Sequence, residues 1–185
     1  IDCHSHMGTD GGVNESGQAV TAEVRVGDFV DNSDINIYRQ LAGGLTASNI
    51  LHGSANPIGA QQQVIKLRWG ALPEQMKGDE APPAIKFALG ENVKQSNWGD
   101  QFRIRYPQSR MGVETIIRDI FQAAREYDQE WEAYRSLGRR DREQKIPPRR
   151  NLRLEAILGL LNQKTFIDCH AYVQSEILML MRLAE

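Results

Sequence analysis

Four histidines occur in the chain, at His4, His6, His52 and His170. His4 and His6 are separated by one serine. In an extended strand, residues two apart project to the same side, so both imidazoles can reach one ion about 2 Å from each. Neutral imidazole is the commonest metal ligand among protein side chains. The segment Ile1 to His6 reads as the end of a strand and opens into Gly8 to Gly17, a cluster of Gly, Asn, Asp and Ser with loop chemistry. His170 closes a second apolar segment that repeats the first: Ile1-Asp-Cys-His4 is echoed by Ile167-Asp-Cys-His170. Two strands that end alike put a third imidazole at the same mouth. His52 ends another apolar run, in Leu51-His52-Gly53-Ser54-Ala55-Asn56-Pro57. His52 and Asn56 are expected to face that mouth as substrate contacts. Cys3 and Cys169 precede their histidines, point to the opposite side and read as packing residues.

Lys86 stands inside the apolar strand Ala84-Ile85-Lys86-Phe87-Ala88-Leu89. An amine held there without a partner is costly, and its pKa is expected to fall. The resulting neutral amine can take up carbon dioxide as a carbamate able to bridge two metals. The alternative is a lysine that points between strands to solvent. Glu91, at the tip of the same strand, is the rival bridging carboxylate.

Other chemistries leave no trace. CxxC, a Walker loop, G-x-G-x-x-G and G-x-S-x-G are all missing, which removes the commonest nucleotide-binding and serine-hydrolase readings. With 22 basic and 24 acidic residues among 185, the net charge is -2. That balance argues against nucleic acid or an anionic membrane surface as the main partner. No run approaches the roughly 18 apolar residues of a membrane span, and none reads as a signal peptide. Two cysteines form no disulfide framework, so the compartment stays open. The chain starts at Ile1, inside a motif, and is expected to be part of a longer protein.

These side chains need elements to carry them. Asp34 is an N-cap for a helix over Ile35 to Ala42, which Gly43-Gly44 ends. Ala22 to Val26 alternates weakly. Short apolar runs predict strands at Leu45–Leu51, Gln63–Trp69, Ala84–Leu89 and Thr165–His170, with a loop over His52 to Gln61. From Val113 to Tyr134 apolar residues recur at a period near 3.6, predicting a long helix that Gly138 stops. Arg139 to Arg150 is a basic connector, read as a solvated loop in preference to an anion site. Asn151 caps a helix over Leu152 to Asn162, and a last helix runs from about Gln174 to Glu185. Strands and helices in turn, with strands apolar on both faces, predict an α/β fold with a parallel sheet. About five strands are counted, and an eight-stranded barrel typically needs about 250 residues. One domain over residues 1–185 could hold a little over half of such a barrel.

The residues together resemble the metal-dependent amidohydrolases, particularly the imidazolonepropionase-like branch that includes prolidase-type peptidases. The matching segments are Ile1–His6, Leu51–Gly59, Ala84–Lys94, Arg110-Met111-Gly112-Val113 and Phe166–Glu185, in the family's order. The resemblance implies a partial (β/α)8 TIM-type barrel with parallel strands and one or two divalent metals, usually zinc. By it, His4 and His6 are first-strand ligands, Lys86 matches the fourth-strand lysine that some members carboxylate, and His170 matches the fifth-strand histidine. The family's sixth-strand histidine, its eighth-strand aspartate general base and its small β-sandwich have no counterpart before Glu185. The chain therefore looks like the first five βα units of such an enzyme, with little turnover expected of it alone.

The implied reaction is metal-assisted hydrolysis of an amide, cyclic amide or dipeptide-like C–N bond. The ion acidifies water and polarises the carbonyl. A deaminase, or an ester or carbamate hydrolase of the same superfamily, is the rival within enzymes. A non-catalytic metal-binding half barrel that forms homo-oligomers to cover its edges is the rival outside them.

Overall fold

In the computed structural model, which describes residues 1–9 and 11–185, the described residues form six strands, six α-helices and short 3-10 turns. The first strand, β1 (Asp2–Ser5), is followed by α1 (Ile35–Ala42) and β2 (Ala47–Ile50). Asp34 starts α1 as its spacing predicts. One carboxylate oxygen accepts from the Asn36 N–H at 2.9 Å, and the other accepts from the Gly8 N–H at 2.7 Å. That second bond ties the loop leaving β1 to the helix that follows it. β1 and β2 run parallel, as a strand–helix–strand crossover allows.

The next three strands are β3 (Ile58–Gln61), β4 (Gln63–Lys66) and β5 (Ala84–Ala88), with the one-turn helix α2 (Pro73–Met76) between the last two. All five β5 residues are buried. Then come α3 (Arg110–Ser136), α4 (Arg139–Gln144), α5 (Leu152–Leu161), β6 (Phe166–His170) and α6 (Gln174–Ala184). Ser109 caps α3 by accepting the Gly112 N–H at 3.2 Å, and Asn151 caps α5 by accepting the Leu154 N–H, also at 3.2 Å. The α3 stripe of Val113, Ile117 and Ala124 meets Ile157 and Leu160 of α5 over the β3/β5 face. This crossover brings β6 back parallel to β5, pairing Lys86 with Asp168 and Ala88 with His170.

The strands form two three-stranded sheets, β1-β2-β4 and β3-β5-β6. This corrects the expected all-parallel array. β2/β4 and β3/β5 are antiparallel, and only β1/β2 and β5/β6 are parallel. Residues 51–62, which join β2 to β4, contain no helix, and residues 62–83, which join β3 to β5, contain only the one-turn α2, so neither connection supplies the crossover helix that usually joins parallel strands. The segment expected to be a loop up to Gln61 also contains β3. Residues 58–66 form one extended stretch that changes sheets at Gln62, whose N–H donates to the Ala84 carbonyl at 2.9 Å. It joins the two sheets. Arg139–Gln144, expected as loop, is a short helix with no buried residue. Among the described residues no helix is long and apolar enough to cross a membrane.

Candidate functional site

The residues singled out by type gather at the ends of β1, β2, β5 and β6. His4 and His6 are neighbours, their ring centroids 5.1 Å apart and their planes near perpendicular. His6 Nδ1 lies 2.8 Å from the Leu51 carbonyl oxygen. A carbonyl only accepts, so Nδ1 carries a proton, and in the neutral ring the lone pair is on Nε2. That is the arrangement in which a histidine is held for ligation by an outer hydrogen bond. Neither ring nitrogen of His4 has a hydrogen-bond partner among the described residues. Desolvation, and next the Lys86 ammonium, push the His4 pKa below its ordinary 6.5. His170 is lowered by the same two causes in the same order. Both rings are therefore biased toward the neutral form that binds metals or protons.

Lys86 lies within the buried strand β5. Its side chain is 2% exposed, and its ammonium lies 3.9 Å from Asp168 Oδ1. Burial lowers its pKa, while Asp168 and then Cys169 oppose the shift. The lysine is thus inside, beside an acid that the sequence reading passed over. The echo of Asp2 in Asp168 was the available signal. Cys169 packs as expected, its thiol pushed up to about 12 by burial, whereas Cys3, also expected to pack, is exposed.

The other candidates have different surroundings. His52 is fully buried. Its Nδ1 contacts the Gly53 carbonyl at 2.7 Å, and its Nε2 accepts the Glu15 N–H at 2.8 Å. Gly59 packs against this ring, where a Cβ would stand 2.6 Å from His52 Nδ1. Asn56 donates to the Glu15 carbonyl at 2.6 Å and to Thr21 Oγ1 at 2.9 Å, and its Oδ1 accepts from Arg105 at 3.2 Å. In this arrangement both side chains brace the loop after β2. Glu91 forms ion pairs with Lys94 at 2.7 Å and Arg110 at 3.0 Å. Those cations and Asn97 hold its carboxyl below the usual carboxylate range. Ser54, Glu91 and Trp98 share the wall of an open cleft of about 400 Å³.

The donor set suits a borderline-soft divalent ion by type: imidazoles first, with a carboxylate near. His4 and His6 fit as one edge of such a site. Among the described residues, however, no three His, Cys, Asp or Glu side chains converge on one point.

No family model matches the chain. The crystal structure of an amidohydrolase from Thermotoga maritima MSB8 superposes on 99% of it, with TM-score 0.83 and 32% sequence identity. The Amidohydrolase tasK of Hapsidospora irregularis is 27% identical over 198 residues, covering 96% of this chain. The chain spans 47% of the solved protein and 20% of the curated one. Both relatives carry the name amidohydrolase, and that is the class of protein this chain resembles in sequence and in its mixed α/β fold.

Proposed function

We infer that the chain supplies the metal-holding half of an amidohydrolase-type hydrolase of the imidazolonepropionase-like branch. Its substrate would be a small molecule with an amide, cyclic amide or dipeptide-like C–N bond. The observation that carries this reading is the His6 Nδ1–Leu51 hydrogen bond beside the His4 ring, since it leaves two imidazoles with lone pairs at one strand end. His4, His6 and His170 would hold one or two divalent ions, zinc by donor type. Lys86, carboxylated, or Glu91 would bridge two. When bound, such an ion polarises a carbonyl and acidifies water.

The chain's own residues do the rest. With Lys86 uncarboxylated, its ammonium pairs with Asp168 at 3.9 Å, and burial together with that ammonium lowers the pKa of His4 and of His170, favouring the neutral rings. Relatives named amidohydrolases at 32% and 27% identity support the hydrolase class.

The experiment is metal content of chain purified without chelators, followed by zinc titration of the chain and of His4→Ala and His170→Ala. About one or two equivalents in the wild type, lost in the variants, is the expected result. A folded chain that takes up no zinc at micromolar concentration overturns the metal assignment. Hydrolysis of a cyclic amide and of a dipeptide, assayed alongside, separates the C–N reading from ester or carbamate cleavage. One observation favours the second reading, an assembly module: α6 exposes Ile177, Leu178 and Met181, and Phe166 on β6 is exposed as well. A sedimentation mass of twice the chain, without metal, would support it.

A further inference from the structure

Of the four histidines, His52 is the one that is fully enclosed, and both of its ring nitrogens are committed. The Gly53 carbonyl, 2.7 Å from Nδ1, only accepts, so Nδ1 carries a proton. Nε2 faces the Glu15 N–H at 2.8 Å, and a backbone N–H only donates, so Nε2 must present its lone pair. The surroundings therefore suit the neutral ring alone. A second proton would sit on Nε2 and point at the Glu15 N–H. The ring has little room to turn away, because Gly59 of β3 packs against it and a Cβ there would stand 2.6 Å from Nδ1. A buried charge without an acceptor is costly as well.

The Glu15 N–H belongs to a short stretch, residues 13–16 of the loop after β1. Besides His52, Asn56 holds its Glu15 carbonyl at 2.6 Å and Arg105 its Ser16 carbonyl at 2.8 Å. Asn14, in the same stretch, lines the cleft of Ser54, Glu91 and Trp98. The loop that carries His52 also meets both strand ends of the mouth: the Leu51 carbonyl takes His6 Nδ1, and Ser54 Oγ lies 2.7 Å from His170 Nδ1. One buried imidazole thus joins a wall of the cleft to the loop beside the mouth.

We propose that His52 is an acid-sensitive latch: a proton on Nε2 breaks its bond to Glu15 and releases residues 13–16, taking Asn14 off the cleft wall. The latch goes beyond the hydrolase reading and needs neither metal nor substrate. The groups that face the ring are the Glu15 carboxylate from the loop after β1 and the His6 imidazole at the end of β1. Gly59 brings no charge, and Arg105 reaches the same loop through the Ala55 carbonyl and Asn56. Burial is the largest cause holding the His52 pKa below 6.5; the Gly53 carbonyl and the Glu15 carboxylate oppose it, and His6 adds to it. Above 6.5 the ring is neutral in folded and unfolded chain alike, and the latch is shut. As pH falls through the lowered folded-state value, the latched form is lost.

The test is a 15N-labelled chain carried from about pH 8 to about pH 5, with the His52 ring shifts and amide exchange read at each step. The Glu15 protection factor is expected to fall about tenfold per pH unit below the midpoint of the His52 shifts. The Asn14 side-chain amide should shift with the same midpoint. Leu51, whose N–H donates to the Ser5 carbonyl at 3.0 Å, should keep its protection. His52→Gln retains an acceptor for the Glu15 N–H but takes up no proton in this range, so Glu15 protection should become level with pH. Protection at Glu15 that survives the titration of His52 overturns the proposal. So does a ring that stays neutral wherever the chain is folded, or a joint loss at Glu15 and Leu51, which marks melting of the strand end. A Gln variant with the wild-type profile would assign the effect to Glu15 or His6 and sink the latch. An Asn14 amide that does not move removes the link to the cleft. Should the variant fail to fold, the wild-type midpoints decide.

Discussion

Lys86 Nζ and Asp168 Oδ1 face each other across a parallel strand pair at a separation of 3.9 Å. That distance counts as an ion pair but is too long for a hydrogen bond. The amine has given up water for a partner that only partly replaces it.

Lys86→Met should therefore be neutral or stabilising, by about 1 kcal/mol, because Asp168 is about one-third exposed and stays hydrated. The wild type should also gain stability with rising pH in alkaline solution. Above the lowered folded-state pKa the folded chain sheds its proton while the unfolded lysine, near 10.5, still holds one. The unfolded state then binds more protons, so stability climbs with pH across that interval. Urea unfolding at several alkaline pH values should show the slope in the wild type and its loss in Lys86→Met.

Arg153 on α5 grips Glu23 with three hydrogen bonds, Nη2 to Oε1 at 2.7 Å and Nε to Oε2 at 3.0 Å and to Oε1 at 3.2 Å. Burial by itself raises the Glu23 pKa, but the guanidinium outweighs it and holds the carboxyl below 4.5. The pair should add about 1–2 kcal/mol at neutral pH, the range for hydrogen bonds between charged groups. This contribution is complete above the ordinary carboxylate pKa and fades as pH falls through the lowered one. Glu23→Gln should thus be weaker than wild type in guanidinium unfolding at pH 7, and the gap should close in strong acid.

The chain leaves the core along α3 at Tyr127 and re-enters at Asn151. The Tyr127 hydroxyl donates to Glu155 Oε1 at 3.0 Å and accepts the Asn151 N–H at 3.3 Å, closing the base of this excursion. Tyr127→Phe keeps the ring and loses both bonds. A cost of about 1 kcal/mol is expected, or roughly 2–4 °C in a thermal melt of a chain this size. An unchanged melting point would mean that solvent serves these groups as well as the tyrosine does.

Gly90 has φ of +78°, and a Cβ there would stand 2.9 Å from the Tyr172 hydroxyl oxygen. That oxygen accepts the Glu91 N–H at 3.1 Å, linking the tips of β5 and β6. Gly90→Ala should cost about 1–2 kcal/mol from backbone strain and crowding together. Adding Tyr172→Ala should return only the crowding part, which a double-mutant cycle of unfolding free energies would read.

How much of this was legible beforehand differs from residue to residue. Asp34, Ser109 and Asn151 sit where a short polar side chain precedes an apolar periodic run. That local signal places α1 and α5 almost to the residue, while α3 begins three residues earlier than the periodicity suggests. β3 was hidden in a glycine- and proline-bordered stretch, because Ile58-Gly59-Ala60 is too short to show alternation. Among site residues, the pairing of His4 with His6 follows from a period of two. Nothing local told whether His52 and Asn56 face a ligand or a loop, since that depends on Glu15, Thr21 and Arg105, distant in the chain. Ser54, Asp168 and Tyr172 were passed over for the same reason: each gains its meaning from a partner between 81 and 116 residues away, or from a strand register.

By itself, then, the amino-acid order determined α1, α3, α5 and α6, the buried strand around Lys86 and the types of donor available, because capping, periodicity and desolvation act within a few residues. Strand direction, the placement of Asp168 against Lys86 and the reach of one loop to both His6 and His170 were decided only in three dimensions. Those relations depend on which strands pair, and pairing is settled by the connections between strands and by the burial of faces that the local sequence does not see.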